Sequence, residues 1–279
     1  MKLATLRTGT TTTAARLDGN TFTEIDGYAD LGALLADENW QQIAADASGP
    51  QHPAASAELE TVVVDPSKIL CVGLNYRSHI QEMGRELPGY PTVFAKFTDT
   101  LTGPHDAIEA VAEDTQLDWE GELVVVVGKR AHKVDEEDAG RYIAGYSVAN
   151  DISMREWQFR TKEWLQGKIW ARSTPVGPVM VTADEFDPGA ATLRTRVNGE
   201  TMQEHSTGDL LFSPEHLVSY FSTILPLHPG DIILTGTPGG VGRARNPQVF
   251  LTSGDVVEVE IDGIGALTNA MVDPVPARA

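Results

Sequence analysis

Asp118-Trp119-Glu120-Gly121-Glu122-Leu123-Val124-Val125-Val126-Val127 is the stretch on which the fold turns. Five consecutive apolar residues, four of them Val, predict a strand buried on both faces. Side chains two apart on a strand share a face, so Glu120 and Glu122 point the same way at the mouth of that element. Two carboxylates so close raise each other's pKa unless a cation sits between them, and a hard divalent ion suits oxygen ligands. The pair alone decides little, because acid-x-acid spacings arise often by chance among 40 acids in 279 residues.

Outward from that strand, strand signals recur at 69–74, 142–149, 176–181, 193–197, 232–235 and 256–261, and weaker ones at 2–7 and 21–25. Asn198-Gly199 carries the residues of a two-residue hairpin turn. Helices are expected to be few. Ser153-Met154-Arg155-Glu156 reads as a capping box opening a helix to about Leu165. Ser213-Pro214-Glu215 supplies an N-cap, a Pro at N1 and an early acid for a helix that Pro226 stops. The sum is a β-rich α+β fold without regular strand–helix alternation. Residues 1–60 read as a small N-terminal appendage, joined through the Ala- and Ser-rich stretch 46–58 to a main unit at 61–279.

A net charge of −19 argues against nucleic acid and anionic membranes as partners. Cys71 is the single cysteine, so no internal disulfide forms. The first residues are Thr-rich and polar rather than apolar, and a cytoplasmic protein is expected.

Several patterns carry chemistry. Asp151 ends a strand-like run and, with Glu120 and Glu122, would give three carboxylates to one octahedral ion; it could equally just cap a turn. His79 and Glu82, three apart, share a helix face, where the carboxylate can orient the imidazole as a general base or form an idle surface pair. Arg155, Arg160, Lys162, Lys168 and Arg172 form a basic excess that suits an anionic small molecule, or simply a solvated helix face. Gly236-Thr237-Pro238-Gly239-Gly240-Val241-Gly242 is followed by neither a helix nor a P-loop Lys, so it reads as a loop approaching a ligand rather than a nucleotide site. No Gly-x-Ser-x-Gly elbow and no Cys/His cluster is present.

Together these residues resemble the fumarylacetoacetate hydrolase family from about Ile69 onward. The resemblance rests on Val72-Gly73-Leu74-Asn75-Tyr76 with His79 and Glu82, on Glu120 and Glu122, and on Asn150-Asp151-Ile152-Ser153. Arg155, Gln158, Gly167-Lys168, Pro175-Val176-Gly177-Pro178 and Gly230-Asp231 before Thr235-Gly236-Thr237-Pro238 follow in the family's order. It implies a mixed β-roll or sandwich around Mg²⁺ or Mn²⁺, usually in a homodimer. It makes Glu120, Glu122 and Asp151 the metal ligands, His79 and Glu82 a water-activating dyad on a segment that orders over substrate, and Lys168 the catalytic lysine. Lys96, Arg155, Gln158 and Thr237 fall on positions that hold the substrate's carboxylate and oxo groups. Two departures, Phe97-Thr98 where Pro-Ser is frequent and Ala171-Arg172 where Asp-Thr is frequent, bear on the substrate pocket. The expected activity is metal-dependent hydrolysis of a C–C bond in a 1,3-dicarbonyl 2-oxo acid of the acylpyruvate or fumarylpyruvate type. Oxaloacetate decarboxylation, isomerisation or hydration of unsaturated 2-oxo dicarboxylic acids, and an idle metal-binding protein are the alternatives.

Overall fold

The computed structural model describes residues 1–82, 84 and 86–274, without the side chain of Glu82. Its strands in chain order are β1 Lys2–Thr8, β2 Thr11–Asp18, β3 Thr21–Glu24, β4 Gln51–Pro53, β5 Ile69–Gly73, β6 Thr92–Lys96, β7 Leu101–Thr102, β8 Ile108–Glu109 and β9 Leu117–Asp118. They continue with β10 Gly121–Val127, β11 Ile143–Asn150, β12 Ser153–Met154, β13 Thr174–Thr182, β14 Thr192–Val197, β15 Glu200–Ser206, β16 Ile232–Leu234, β17 Val256–Ile261 and β18 Gly265–Val272. Helices are short: α1 Leu31–Leu35, α2 Trp40–Ala45, α3 Arg77–Glu82, α4 Glu136–Ala139, α5 Arg155–Gln158 and the longest, α6 Pro214–Ile224.

Among the described residues most strands join one mixed sheet in the order β4-β3-β2-β1-β13-β11-β10-β16-β5-β6, with β7 beside β13. A second sheet runs β15-β14-β17-β18-β8. Both are largely antiparallel, with parallel pairs at β16/β5, β13/β7 and β18/β8. The fold is β-rich α+β.

β10 shows why a continuous apolar run forms the spine. All seven of its residues are buried. Leu123, Val125 and Val127 enter one hydrophobic cluster with Tyr146, Val148 and Phe221. Val124 and Val126 enter another with Cys71, Ile232 and Leu234. The pleat thus feeds one strand into two cores, and a polar residue at any of these places would be stranded. A third cluster, holding Leu117, Trp119, Ile152 and Met154, lies beneath the segments that flank β10 and β11.

The turn chemistry follows the sequence in two places. Asn198 and Gly199 both take positive φ, at 51° and 82°, as a type I′ turn between β14 and β15 requires. Ser213 caps α6, its hydroxyl accepting from the His216 N–H at 3.2 Å.

Two expectations need correction or refinement. The helix expected over 153–165 is absent: Ser153 and Met154 are extended in β12, α5 is a single α-helical turn, and a separate 3₁₀ turn covers Trp164–Gly167. Pairing of Ser153 with Asp118 and Met154 with Leu117 claims the backbone that the capping box would have used. The Ser153 hydroxyl instead donates to the Asp151 carbonyl at 2.9 Å. The first sixty residues contain β1–β4 with α1 and α2, yet their strands continue the main sheet through Lys2↔Val181 and Leu3↔Met180.

Leu123→Ala should lower stability by about 2–5 kcal/mol through the cavity it leaves, read as a fall in the urea midpoint with an unchanged slope. A loss under about 0.5 kcal/mol would mean that this strand is not the spine of the core.

Candidate active site

The acid-bearing segments are brought together by a gap in one antiparallel ladder. β10 and β11 pair Gly121 with Asn150, and β9 and β12 pair Asp118 with Ser153. Between these pairs the same register sets Glu120 opposite Asp151, whose N–H donates to the Glu120 carbonyl at 2.8 Å. The Asn150 side-chain oxygen accepts from the Glu120 N–H at 2.9 Å, closing the other half of the gap. Glu122 follows two residues along β10. One carboxylate oxygen from each of Glu120, Glu122 and Asp151 can be chosen so that all three lie within 4.8 Å of one another, and all three residues are buried.

Cations surround this trio. Lys168 Nζ donates to Glu120 Oε2 at 2.6 Å and to Asp151 Oδ2 at 2.8 Å. Arg155 pairs with Glu120 Oε1 at 2.7 Å and holds Asp118 Oδ2 through Nε at 2.8 Å and Nη2 at 2.7 Å. Lys96, at the end of β6, lies 2.7 Å from Asp151 Oδ1 and donates to the Lys168 carbonyl. Burial alone would push Asp151 up, but Lys168 and Lys96 outweigh it and hold the carboxyl below its usual range. Burial likewise works against the Lys168 ammonium, and Asp151 and Glu120 overcome it, so its pKa is raised.

Glu122 is the exception. Burial, then the charges of Asp151 and Glu120, drive it well above the carboxylate range, against weaker opposition from Lys168 and the Gly236 N–H, which donates to Oε2 at 2.7 Å. Gly236 can make that bond because it sits at φ 101° against the Val72 carbonyl, where a Cβ would lie 2.8 Å from that oxygen.

The site has the donors for a divalent ion. Four buried carboxylates, Asp118, Glu120, Glu122 and Asp151, face three buried cations, Lys96, Arg155 and Lys168. Asp151 Oδ1 is buried with the Lys96 ammonium 2.7 Å away as its charged neighbour. Three hard oxygen donors, one of them in need of a positive neighbour, fit a hard divalent cation.

Above the acids opens a cavity of about 360 Å³, lined by Glu120, Glu122, Lys168, Arg155, Gln158, His79 and Thr237. Its apolar walls include Val72, Phe94, Trp164 and Val241. His79 lies on α3, three residues from Glu82, whose side chain falls outside the described residues. Gln158 accepts from Arg155 Nη1 at 2.9 Å, and the Thr237 hydroxyl accepts from Gln203 Nε2 at 2.9 Å. Of the basic run, Arg155 and Lys168 are buried in this network. Arg160 instead stacks on Trp157 at 3.5 Å, and Arg172 pairs with Asp106 at 3.0 Å.

Asp118 is a further member of the site that the sequence patterns do not single out. Its carboxylate binds Arg155 and also accepts from the Gly242 N–H at 2.6 Å and the Arg243 N–H at 3.0 Å, tying the pocket loop to the acids. The signal available was its place two residues before Glu120, on the same face of the chain.

Residues 68–272 match the sequence model described as fumarylacetoacetate (FAA) hydrolase, C-terminal. The chain belongs to the fumarylacetoacetate hydrolase family. A Rattus norvegicus protein named oxaloacetate tautomerase Fahd2a, mitochondrial, is 42% identical over 225 residues, which is 80% of this chain and 72% of that protein. The fumarylacetoacetate hydrolase of psychrophilic Exiguobacterium antarcticum superposes with a TM-score of 0.89 at 32% identity, covering 98% of this chain and 100% of that one. The 5-carboxymethyl-2-hydroxymuconate delta-isomerase of Mycobacterium smegmatis does so with a TM-score of 0.82 at 32% identity, covering 99% and 100%. The family thus spans hydrolase, isomerase and tautomerase names. The expected cytoplasmic location is overturned by such relatives, whose names place them in mitochondria; a polar, Thr-rich start does not settle the compartment. Among the described residues no helix is long and apolar enough to cross a membrane.

The raised Glu122 pKa gives a signed expectation. Without an ion, Glu122 favours the folded state most below its ordinary carboxylate value, and that contribution is lost as pH rises toward the raised value. Asp151 works oppositely, stabilising above its ordinary value and losing that as pH falls. Because an ion binds the deprotonated trio, Mg²⁺ and Mn²⁺ affinity should rise with pH across the Glu122 window, and Glu122→Gln should weaken binding and flatten that dependence. Calorimetric titrations at several pH values check this; pH-independent binding, or unchanged binding in the variant, would remove Glu122 from the ligand set.

Proposed function

We propose that this chain exchanges the enol and keto forms of a small 2-oxo dicarboxylic acid, with oxaloacetate as the leading candidate. The observation that carries the reading is Lys168, its ammonium fixed between Glu120 and Asp151 and lining the cavity. Enolisation places negative charge on the former carbonyl oxygen, and a preorganised ammonium lowers the cost of that charge most in a dry site. The likeness to a tautomerase supports the substrate class.

A divalent ion held by Glu120, Glu122 and Asp151 would supply Lewis-acid polarisation of the substrate's oxo group. The protein's own groups do the rest. Arg155 and Gln158 orient the substrate's carboxylate end, and Lys96 keeps Asp151 ionised. His79 takes a proton from the carbon beside the carbonyl and delivers one to oxygen, so a C–H bond breaks as an O–H bond forms, and the reverse step restores the base. Phe94 and Trp164 exclude water; Trp164 packs so closely on Gly73 that a Cβ there would lie 2.2 Å from the indole.

A second reading, hydrolysis of the C–C bond of an acylpyruvate, is favoured by the spacing of His79 and Glu82 on α3, which suits activation of water. A homodimer is part of either proposal.

Rapid mixing of enol oxaloacetate with the Mg²⁺- or Mn²⁺-loaded protein, followed by loss of enol absorbance, tests the first reading, alongside acylpyruvates for the second. His79→Ala should keep metal binding and lower the tautomerisation rate by on the order of 10²-fold or more. Uncatalysed decay of the enol at stoichiometric protein, with acylpyruvates cleaved rapidly, would replace the first reading by the second. No turnover of either, with thermal stabilisation by the ion alone, would leave an idle metal-binding protein.

A further inference from the structure

Three Lys or Arg side chains line the cavity, Arg155, Lys168 and Arg243, and two of them are already committed. Lys168 and Arg155 are bound to the buried acids, and Lys96 stands behind Asp151. Arg243 lines the same cavity, half-buried, and among the described residues its guanidinium makes no ion pair. It lies instead over the ring of Phe159, 3.9 Å from the centroid. Phe159 follows directly on α5, the turn that carries Arg155 and Gln158.

The base of this side chain is fixed although its head is not charge-paired. The Gly242 and Arg243 N–H groups both donate to Asp118, the carboxylate that also grips Arg155. The main chain of the loop and the guanidinium of Arg155 therefore share one anchor. A planar guanidinium stacked on an aromatic face keeps its edge N–H groups free, in the fork that a carboxylate accepts. Nearby Arg245 cannot play this part, since it donates to the Gly240 and Met202 carbonyls.

We infer that Arg243 is the specificity-determining residue that binds the second, distal carboxylate of a dicarboxylic substrate. The inference rests on the reading of the site as one for 2-oxo acids and adds which of them it prefers. A substrate with two carboxylates must enter a protein of net charge −19, and a cation at the wall of the cavity offsets that repulsion where the far end of the molecule lies. The carboxylate beside the oxo group is left to Arg155 and Gln158.

The experiment compares a dicarboxylic 2-oxo acid, oxaloacetate, with a monocarboxylic one, acetylpyruvate, on wild type, Arg243→Gln and Arg243→Lys, all metal-loaded. Arg243→Gln should lose roughly 10- to 100-fold in kcat/KM for oxaloacetate, mostly through KM, as loss of a charge-assisted bond does, and change little for acetylpyruvate. Arg243→Lys should recover part of the loss. Equal losses on both substrates, or none on oxaloacetate, overturn the assignment. Calorimetric binding of 2-oxoglutarate and of pyruvate separates this from the catalytic reading. If wild type turns over neither substrate yet binds 2-oxoglutarate more tightly, and Arg243→Gln erases that preference, the catalytic reading falls and the role of Arg243 stands. If the variant keeps the preference, Arg243 is excluded even where turnover is intact.

Discussion

Three carboxylates crowded into a buried space set the terms for the rest of this molecule. They meet because Glu120 and Asp151 occupy opposed positions in a broken ladder, with the strand pairs on either side holding the register. Desolvation of like charges at this distance is costly, and each neighbouring feature answers it. Lys168 lies between two of the acids, Arg155 joins Glu120 to Asp118, and Lys96 closes on Asp151. Buried pairs of this kind contribute little net stability, but removing one member leaves the others unpaired. The site is therefore a single electrostatic unit rather than a set of separable residues.

That unit constrains chemistry as well as structure. Groups already saturated by one another cannot move far when a substrate arrives, which is the condition for stabilising charge that appears only in the transition state. Side chains outside that unit line the cavity wall, His79 from α3 and Arg243 from the loop after β16. Members of one family with hydrolase, isomerase and tautomerase names can share such a floor and differ at such walls.

Much of this was legible in the chain. The apolar run 123–127 identified the spine because a strand buried on both faces has no alternative composition, and the positions of Glu120 and Glu122 followed from strand periodicity. The Asn198-Gly199 turn and the Ser213 cap were legible because their signals are local and no tertiary pairing opposed them. The capping box at Ser153 misled for the opposite reason: a four-residue signal competed with a strand partner 35 residues away in sequence, and the partner won. The basic run from Arg155 to Arg172 could not be sorted by composition, because burial, not charge, separates Lys168 from Arg160 and Arg172. Asp118 was hidden by its neighbours, one more acid in an acid-rich chain until its contacts with Arg155 and the 242–243 backbone came into view.

The sheet that begins with β4 and ends with β6 has a consequence for how the protein can be cut. β1 supplies backbone partners to Met180 and Val181 of β13, and β13 in turn flanks β11, the strand that delivers Asp151. Truncation before residue 60 would leave a stretch of β13 with bare amide and carbonyl groups, a template on which other chains could align and aggregate. The residues least concerned with chemistry thus protect solubility at a border only two strands from the reacting centre.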